Sequence, residues 1–135
     1  MTSAIENFGR YAGKVWNELN KKGPMEESVL VKKMRIKEED FHAAVGWLAR
    51  ENKIRFNNGK YELSPTNLTE KIGGNAGKVF NTLASYGEID VSAIAKIAKI
   101  HKKDAYSAIG WLARENKIDC KKDPSRNSTV AFELK

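Results

Sequence analysis

One cysteine in 135 residues, Cys120, has no partner for an internal disulfide, which suits a reducing compartment. Apolar runs are short. None approaches the roughly 20 residues that span a bilayer, and the N-terminus lacks a signal-peptide pattern. The expectation is a cytoplasmic protein without membrane attachment. Histidine is equally scarce: His42 and His101 stand far apart, and no Cys/His spacing suggests a metal. There is no glycine-rich phosphate loop and no paired-acid motif, and Gly73-Gly74 is too short to count as one. These absences exclude the common catalytic and cofactor-dependent classes. No catalytic residue, metal or cofactor is expected, and the chain reads as a non-enzyme.

What the chain does have is charge and repetition. The formal net charge is +7 and the pI about 9.5, a balance that invites a polyanionic partner. The charge is shared: residues 1–64 carry +3 and residues 65–135 carry +4. The nonapeptide GWLARENKI occurs at Gly46–Ile54 and again at Gly110–Ile118. Shifted by 64 positions, the chain matches itself without a gap at 23 of 52 pairs from Ile5/Thr69 to Phe56/Cys120. A unit of this length is too long for a solenoid repeat and is the size of a small domain. Two domains follow, 1–64 and 65–135, joined by Ser64-Pro-Thr-Asn67, where Pro65 stiffens the link.

Each unit reads as three helices and a hairpin. Ser3-Ala-Ile-Glu6 and Asn67-Leu-Thr-Glu70 stand where a capping box would open the first helix. A short second helix is expected around Ser28–Met34 and Ser92–Ala98. A tight turn carrying Ile36 or Ile100 leads to a third, about 38–51 and 102–115. After Ile54 the pattern becomes strand, Asn57-Asn58-Gly59 turn, strand; the second copy ends similarly across a longer loop. The fold class expected is α+β, mostly helical, as two tandem winged helix-turn-helix domains. Ala-Gly-Lys-Val-Trp (Ala12–Trp16), the Gly after helix one, and Ala-Val-Gly-Trp-Leu-Ala-Arg-Glu-Asn-Lys-Ile (Ala44–Ile54) resemble a small bacterial and archaeal winged-helix family of unassigned function. That resemblance implies the fold and, through what such families are presumed to do, duplex DNA as partner.

On helix three, Phe41, Ala44, Val45 and Leu48 form the core face, as do Ala105, Ala108, Ile109 and Leu112. The opposite face holds Glu39, Ala43, Gly46, Arg50 and Lys53, or Lys103, Ser107, Gly110, Arg114 and Lys117. Trp47 and Trp111 are placed to seal the helix against the wing or the neighbouring unit, and Gly46 and Gly110 suggest close backbone approach to another helix or a phosphate. His42 is expected on an exposed surface and Cys120 on a strand.

The copies differ before helix three. Unit one reads Lys37-Glu-Glu-Asp40 and unit two His101-Lys-Lys-Asp104. Acids suit a helix N-terminus, so Lys102 and Lys103 break a local rule. In a helix-turn-helix reader this end meets the major groove. The expected DNA-facing set is therefore Lys102, Lys103, Tyr106, Ser107, Arg114 and Lys117. The second wing adds Lys121, Lys122 and Arg126. Unit one adds Arg50, Lys53, Arg55 and Lys60. The reading is a DNA-binding, transcription-related protein using helix three and the wing of unit two. Two alternatives stand beside it: a protein-interaction adaptor, favoured by the acidic helix-three tip of unit one, and RNA binding. Operator, effector, regulatory direction and oligomeric state are not encoded legibly.

Overall fold

The computed structural model describes residues 4–123 and 129–135. Unit one runs α1 (Ala4–Lys22), α2 (Glu27–Met34), α3 (Glu38–Arg50), β1 (Ile54–Asn57) and β2 (Lys60–Leu63). Unit two opens with a π-helical turn, Thr69–Gly73, that continues into α4 (Gly74–Tyr86). It then runs β3 (Ile89–Asp90), α5 (Val91–Ala98), α6 (Lys102–Arg114), β4 (Ile118–Asp123) and β5 (Thr129–Leu134). This is the α+β, tandem winged helix-turn-helix plan expected from the repeat.

Local chemistry explains the boundaries. The α2–α3 and α5–α6 turns are made by Arg35 and Lys99 in left-handed backbone, at φ 55° and 59°. Ile36 N–H then donates to Val31 O at 3.4 Å, and Ile100 N–H to Ala95 O at 3.1 Å. This Schellman closure satisfies carbonyls that a helix end would leave open. The repeated nonapeptide carries the same device. Asn52 and Asn116 take φ 61°, and Lys53 and Lys117 N–H donate back to Leu48 and Leu112 O at 3.0 and 3.1 Å. Asparagine tolerates the left-handed region, so the string encodes a helix stop and the turn into the wing.

Ser3 lies outside the described residues. Two details depart from the sequence reading. Asn67 caps nothing; its side chain accepts from Phe56 N–H at 3.0 Å and donates to Phe56 O at 2.7 Å. It therefore pins the linker to the first wing, and the helix starts as a π turn two residues later. In unit two the two-residue strand β3 pairs with β5 (Ile89 opposite Phe132), giving a three-stranded sheet of order β3-β5-β4. Unit one keeps only a single bridge there, Met25 to Tyr61. Cys120 does sit on a strand, opposite Phe132.

Each unit has a buried cluster, and the two clusters trade residues. Val15, Leu19, Leu30, Phe41, Leu48 and Ile54 form the first and include Ile72 of unit two. Val79, Leu83, Ile94, Ile109, Leu112, Ile118 and Phe132 form the second and include Phe8 and Ala43 of unit one. Phe8 lies against Phe132 with ring centroids 6.2 Å apart. The first turns of α1 and of the second unit's leading helix thus cross into the opposite unit. What fixes the mutual orientation is this exchange together with the α3–α6 contact, more than the stiffness of Pro65.

Candidate nucleic-acid interface

The third helices, α3 and α6, pack on each other. A Cβ added to Gly46 would stand 1.8 Å from Ser107 O, and one added to Gly110 would stand 1.8 Å from Ala43 O. Only glycine permits that backbone contact. The ends show the sense of the crossing. Near the N-termini, the half-buried Tyr106 lies beside Glu39, and burial first, then its hydrogen bond to Glu39, pushes its phenol well above the usual range. His42 there senses Lys103. At the C-termini, Arg50 Nε donates to Glu115 Oε2 and Arg114 Nε donates to Glu51 Oε2, each at 3.0 Å. Arg50 also stands over the Trp111 ring at 5.8 Å and Arg114 over Trp47 at 6.0 Å. The relation is isologous: the glycine, arginine and tryptophan contacts recur with the units exchanged, as in a two-fold dimer.

This arrangement corrects the expected reading face. Ala43 and Gly46 are buried, and Ser107 is 7% exposed with its hydroxyl donating to Lys103 O at 3.2 Å. The face opposite the core is the unit–unit seam, because an amphipathic helix with small residues on its second face can bury both. Ser107 is thus unavailable to a groove, Tyr106 is engaged with Glu39, and Arg50 and Arg114 are held across the seam. Trp47 and Trp111 do seal against the neighbouring unit. The close approach expected at Gly46 and Gly110 is to another helix.

His42 is also corrected. It is 7% exposed, with Nε2 at 3.5 Å from Glu27 Oε2. Burial lowers its pKa and outweighs the pull of Glu27. Asp40 nearby is raised, by burial and then by Glu39.

The wings are largely neutralised. Arg55 faces Glu62 at 3.7 Å, Lys53 faces Glu51 at 3.8 Å, and Lys117 lies 3.4 Å from Glu115 and over the Phe80 ring. Lys121 lies between Glu133 (3.4 Å) and Glu88 (3.6 Å); the Glu133 hydrogen bond chiefly raises its pKa. Lys60 is exposed on β2. Lys122 pairs through its backbone with Val130, and Arg126 lies outside the described residues.

One end differs. Lys96, Lys99, Lys102 and Lys103 are exposed on the α5–α6 corner. Among the described residues none of the four joins an ion pair. The only acid in that stretch, Asp104, faces Lys71 at 3.9 Å. The matching corner of unit one sets four cations, Lys32, Lys33, Arg35 and Lys37, against Glu38, Glu39 and Asp40. Lys33 is further drawn to Glu18 at 2.8 Å. The pseudo-two-fold is therefore good in shape and broken in charge.

Among the described residues no group of His, Cys, Asp and Glu could hold a metal ion, and no helix is long and apolar enough to cross a membrane.

Paired three-helix units, each with a helix-turn-helix corner and a hairpin, define a winged-helix protein. Residues 1–66 and 68–132 each match the model of the winged helix-turn-helix domain family DUF2582, and the chain belongs to that family. It is similar to the uncharacterized protein MJ1608 of Methanocaldococcus jannaschii, with 42% identity over 62 residues, 42% of this chain and 83% of the relative. Winged helix-turn-helix domains suggest DNA binding at a general level.

Proposed function

We propose that the protein binds duplex DNA as a single-chain pseudo-dimer, through phosphate contacts at the N-terminal end of α6. The observation that carries this reading is the run of exposed lysines there, Lys96, Lys99, Lys102 and Lys103, none in an ion pair among the described residues, on a corner whose counterpart in unit one sets three carboxylates against its cations. Lysine ammonium groups without carboxylate partners keep their charge for an external anion, and phosphate contacts supply most of the affinity in such binding. A transcription-related role rests on that binding.

The mode differs from that of a dimer reading two half-sites. Helices that enter successive major grooves lie about 34 Å apart, whereas helices in contact lie about 8–10 Å apart. Helix three of each unit is held at its middle by the other, so the lysine-bearing tip approaches DNA while the rest of the helix holds the units together. Affinity with weak sequence preference is expected, because phosphates position and base edges specify.

Titration of random duplex DNA at several salt concentrations tests this. Lys102→Glu with Lys103→Glu should weaken binding strongly and lower the slope of log affinity against log salt by about 2. Lys21→Glu with Lys22→Glu, on the exposed end of α1, makes the same change in net charge and should weaken it far less. Equal losses would mean diffuse attraction by net charge. Unchanged binding with native circular dichroism would move the reading to the interaction adaptor, with the acidic helix-three tip of unit one as its favoured surface.

A further inference from the structure

Most retained residues of the repeat have a structural task, and a few do not. Gly46 and Gly110 make the seam, Asn52 and Asn116 stop a helix, and Arg50 and Arg114 bridge the units. Gly13 and Gly77 have no such task. Both lie in helix interiors and are exposed, and a Cβ added to either would meet nothing within 4 Å. Each costs about 1 kcal/mol against alanine. Asn17 and Asn81, one turn further on, are likewise exposed and identical in the two copies. Lys14/Lys78 on the leading helices and Ser28/Ser92 and Lys32/Lys96 on the second helices are also retained and exposed.

Gly13 and Asn17 open onto a cleft of about 410 Å³ between α1 and the C-terminal end of α3. Gly9, Ala12, Trp16, Trp47 and Leu48 line it, with Glu51 and Lys53 at the end. Of its nine lining residues, eight recur unchanged 64 positions later; the ninth exchanges Trp16 for Phe80. The whole repeat matches at fewer than half its positions. Its apolar walls are flanked by Lys53 and by Arg114 of the other unit, which both face the one carboxylate, Glu51, at 3.8 and 3.0 Å. One positive charge is left over. Lys117, Arg50 and Glu115 repeat the arrangement in unit two.

We propose that this cleft docks an acidic protein segment that inserts a large apolar side chain beside Gly13, and that the matching residues of unit two take a second such segment beside Gly77. The glycine leaves room for the segment's backbone, as Gly46 does within the molecule. Asn17 offers a donor and an acceptor to that backbone, and the surplus cation attracts its acids. A nucleobase fits less well: the face of Trp47 that it would stack on already carries Arg114. Lining residues that recur across the pseudo-two-fold suit a partner that presents the segment twice. The site lies at the opposite end of α3 from the lysine corner's counterpart, so it does not depend on DNA binding.

The test uses fluorescent dodecapeptides rich in Glu with one central Leu, Phe or Trp. Lys-rich versions and a thymidine dodecanucleotide serve as controls, with anisotropy as the readout. The full-length chain should bind at least one acidic peptide in preference to its Lys-rich counterpart. Gly13→Leu with Gly77→Leu blocks the cleft and its unit-two counterpart and should weaken that binding about tenfold or more while leaving duplex DNA binding unchanged. Should that variant misfold, Asn17→Asp with Asn81→Asp alters only charge at exposed positions and should weaken the acidic peptides alone. No peptide binding, or binding indifferent to both variants, overturns the proposal. Oligothymidine binding lost in the variants would assign the cleft to nucleic acid, and self-association lost in them would assign it to a second copy; either result also overturns it.

Discussion

The middle of the third helix and its N-terminal tip have opposite histories in the two units. Around the crossing the copies share Gly-Trp-Leu-Ala-Arg-Glu, and the shared Gly, Trp, Arg and Glu of each copy meet residues of the other across the pseudo-two-fold axis. At the tip, one copy has Glu38-Glu39 where the other has Lys102-Lys103. A surface that contacts its own copy is constrained twice, because any change must suit both sides of the seam. A surface that faces solvent is free to diverge. The difference teaches that identity between repeats marks assembly at the crossing, and divergence marks where the units were given separate electrostatic characters.

The most severe way to break this contrast is to substitute the crossing. Gly46→Leu drives a side chain into the backbone of α6 and should cost about 3 kcal/mol or more, read as a lowered urea midpoint. Both cores should be lost in one transition, since Phe8, Ala43 and Ile72 tie them together. A Gly46→Leu protein as stable as the parent would mean that the seam is not the one described.

A middle-sized effect belongs to the tip. His42 has a pKa below the ordinary 6.5 because burial disfavours its cation. Below pH 6.5 the unfolded chain therefore binds a proton that the folded chain resists. Stability is full at neutral pH and falls as pH drops through that value toward the folded pKa. Thermal midpoints between pH 7.5 and 5 should show the decline, and His42→Leu should flatten it.

The smallest expected effect lies at the C-terminal ends. Arg50 and Arg114 are both 46% exposed in their side chains. A double-mutant cycle on Arg50→Ala and Glu115→Ala should give a coupling of only about 0.3–1 kcal/mol, with Arg114 and Glu51 equal to it. A coupling several times larger in one pair would show that the pseudo-symmetry fails here as well.

Much of the fold was legible because the repeat doubled every signal. The helix stop at Asn52 and Asn116, the Asn58-Gly59 turn and the apolar phase of α3 are all local consequences of residue type. The seam was less legible. Ala43, Gly46 and Ser107 form a small-residue stripe which, on sequence alone, serves a groove or another helix equally well. Assigning that face to DNA erred because contact between units is a long-range property. His42 was misplaced for the same reason: its cover comes from Glu27 and from the other unit. The charge break at Lys102-Lys103 needed no structure, while the absence of carboxylate partners around it did. The cleft beneath Gly13 was missed although its signal was present, as an exposed helical glycine kept in both copies.

Phe8 against Phe132 joins nearly the full length of the chain in one contact. On a ribosome, α1 emerges well before its partner ring, so the first unit waits with Phe8 and the Ala43–Gly46 stripe uncovered until the second unit is made. Contacts this distant in sequence slow folding, and a waiting apolar face can capture the same face of a neighbouring chain. The repeat makes that neighbour a near-perfect substitute: the first unit of one nascent chain can close on the second unit of another. Synthesis on crowded polysomes should therefore favour exchanged dimers of the same secondary structure as the monomer, and dilution during refolding should suppress them.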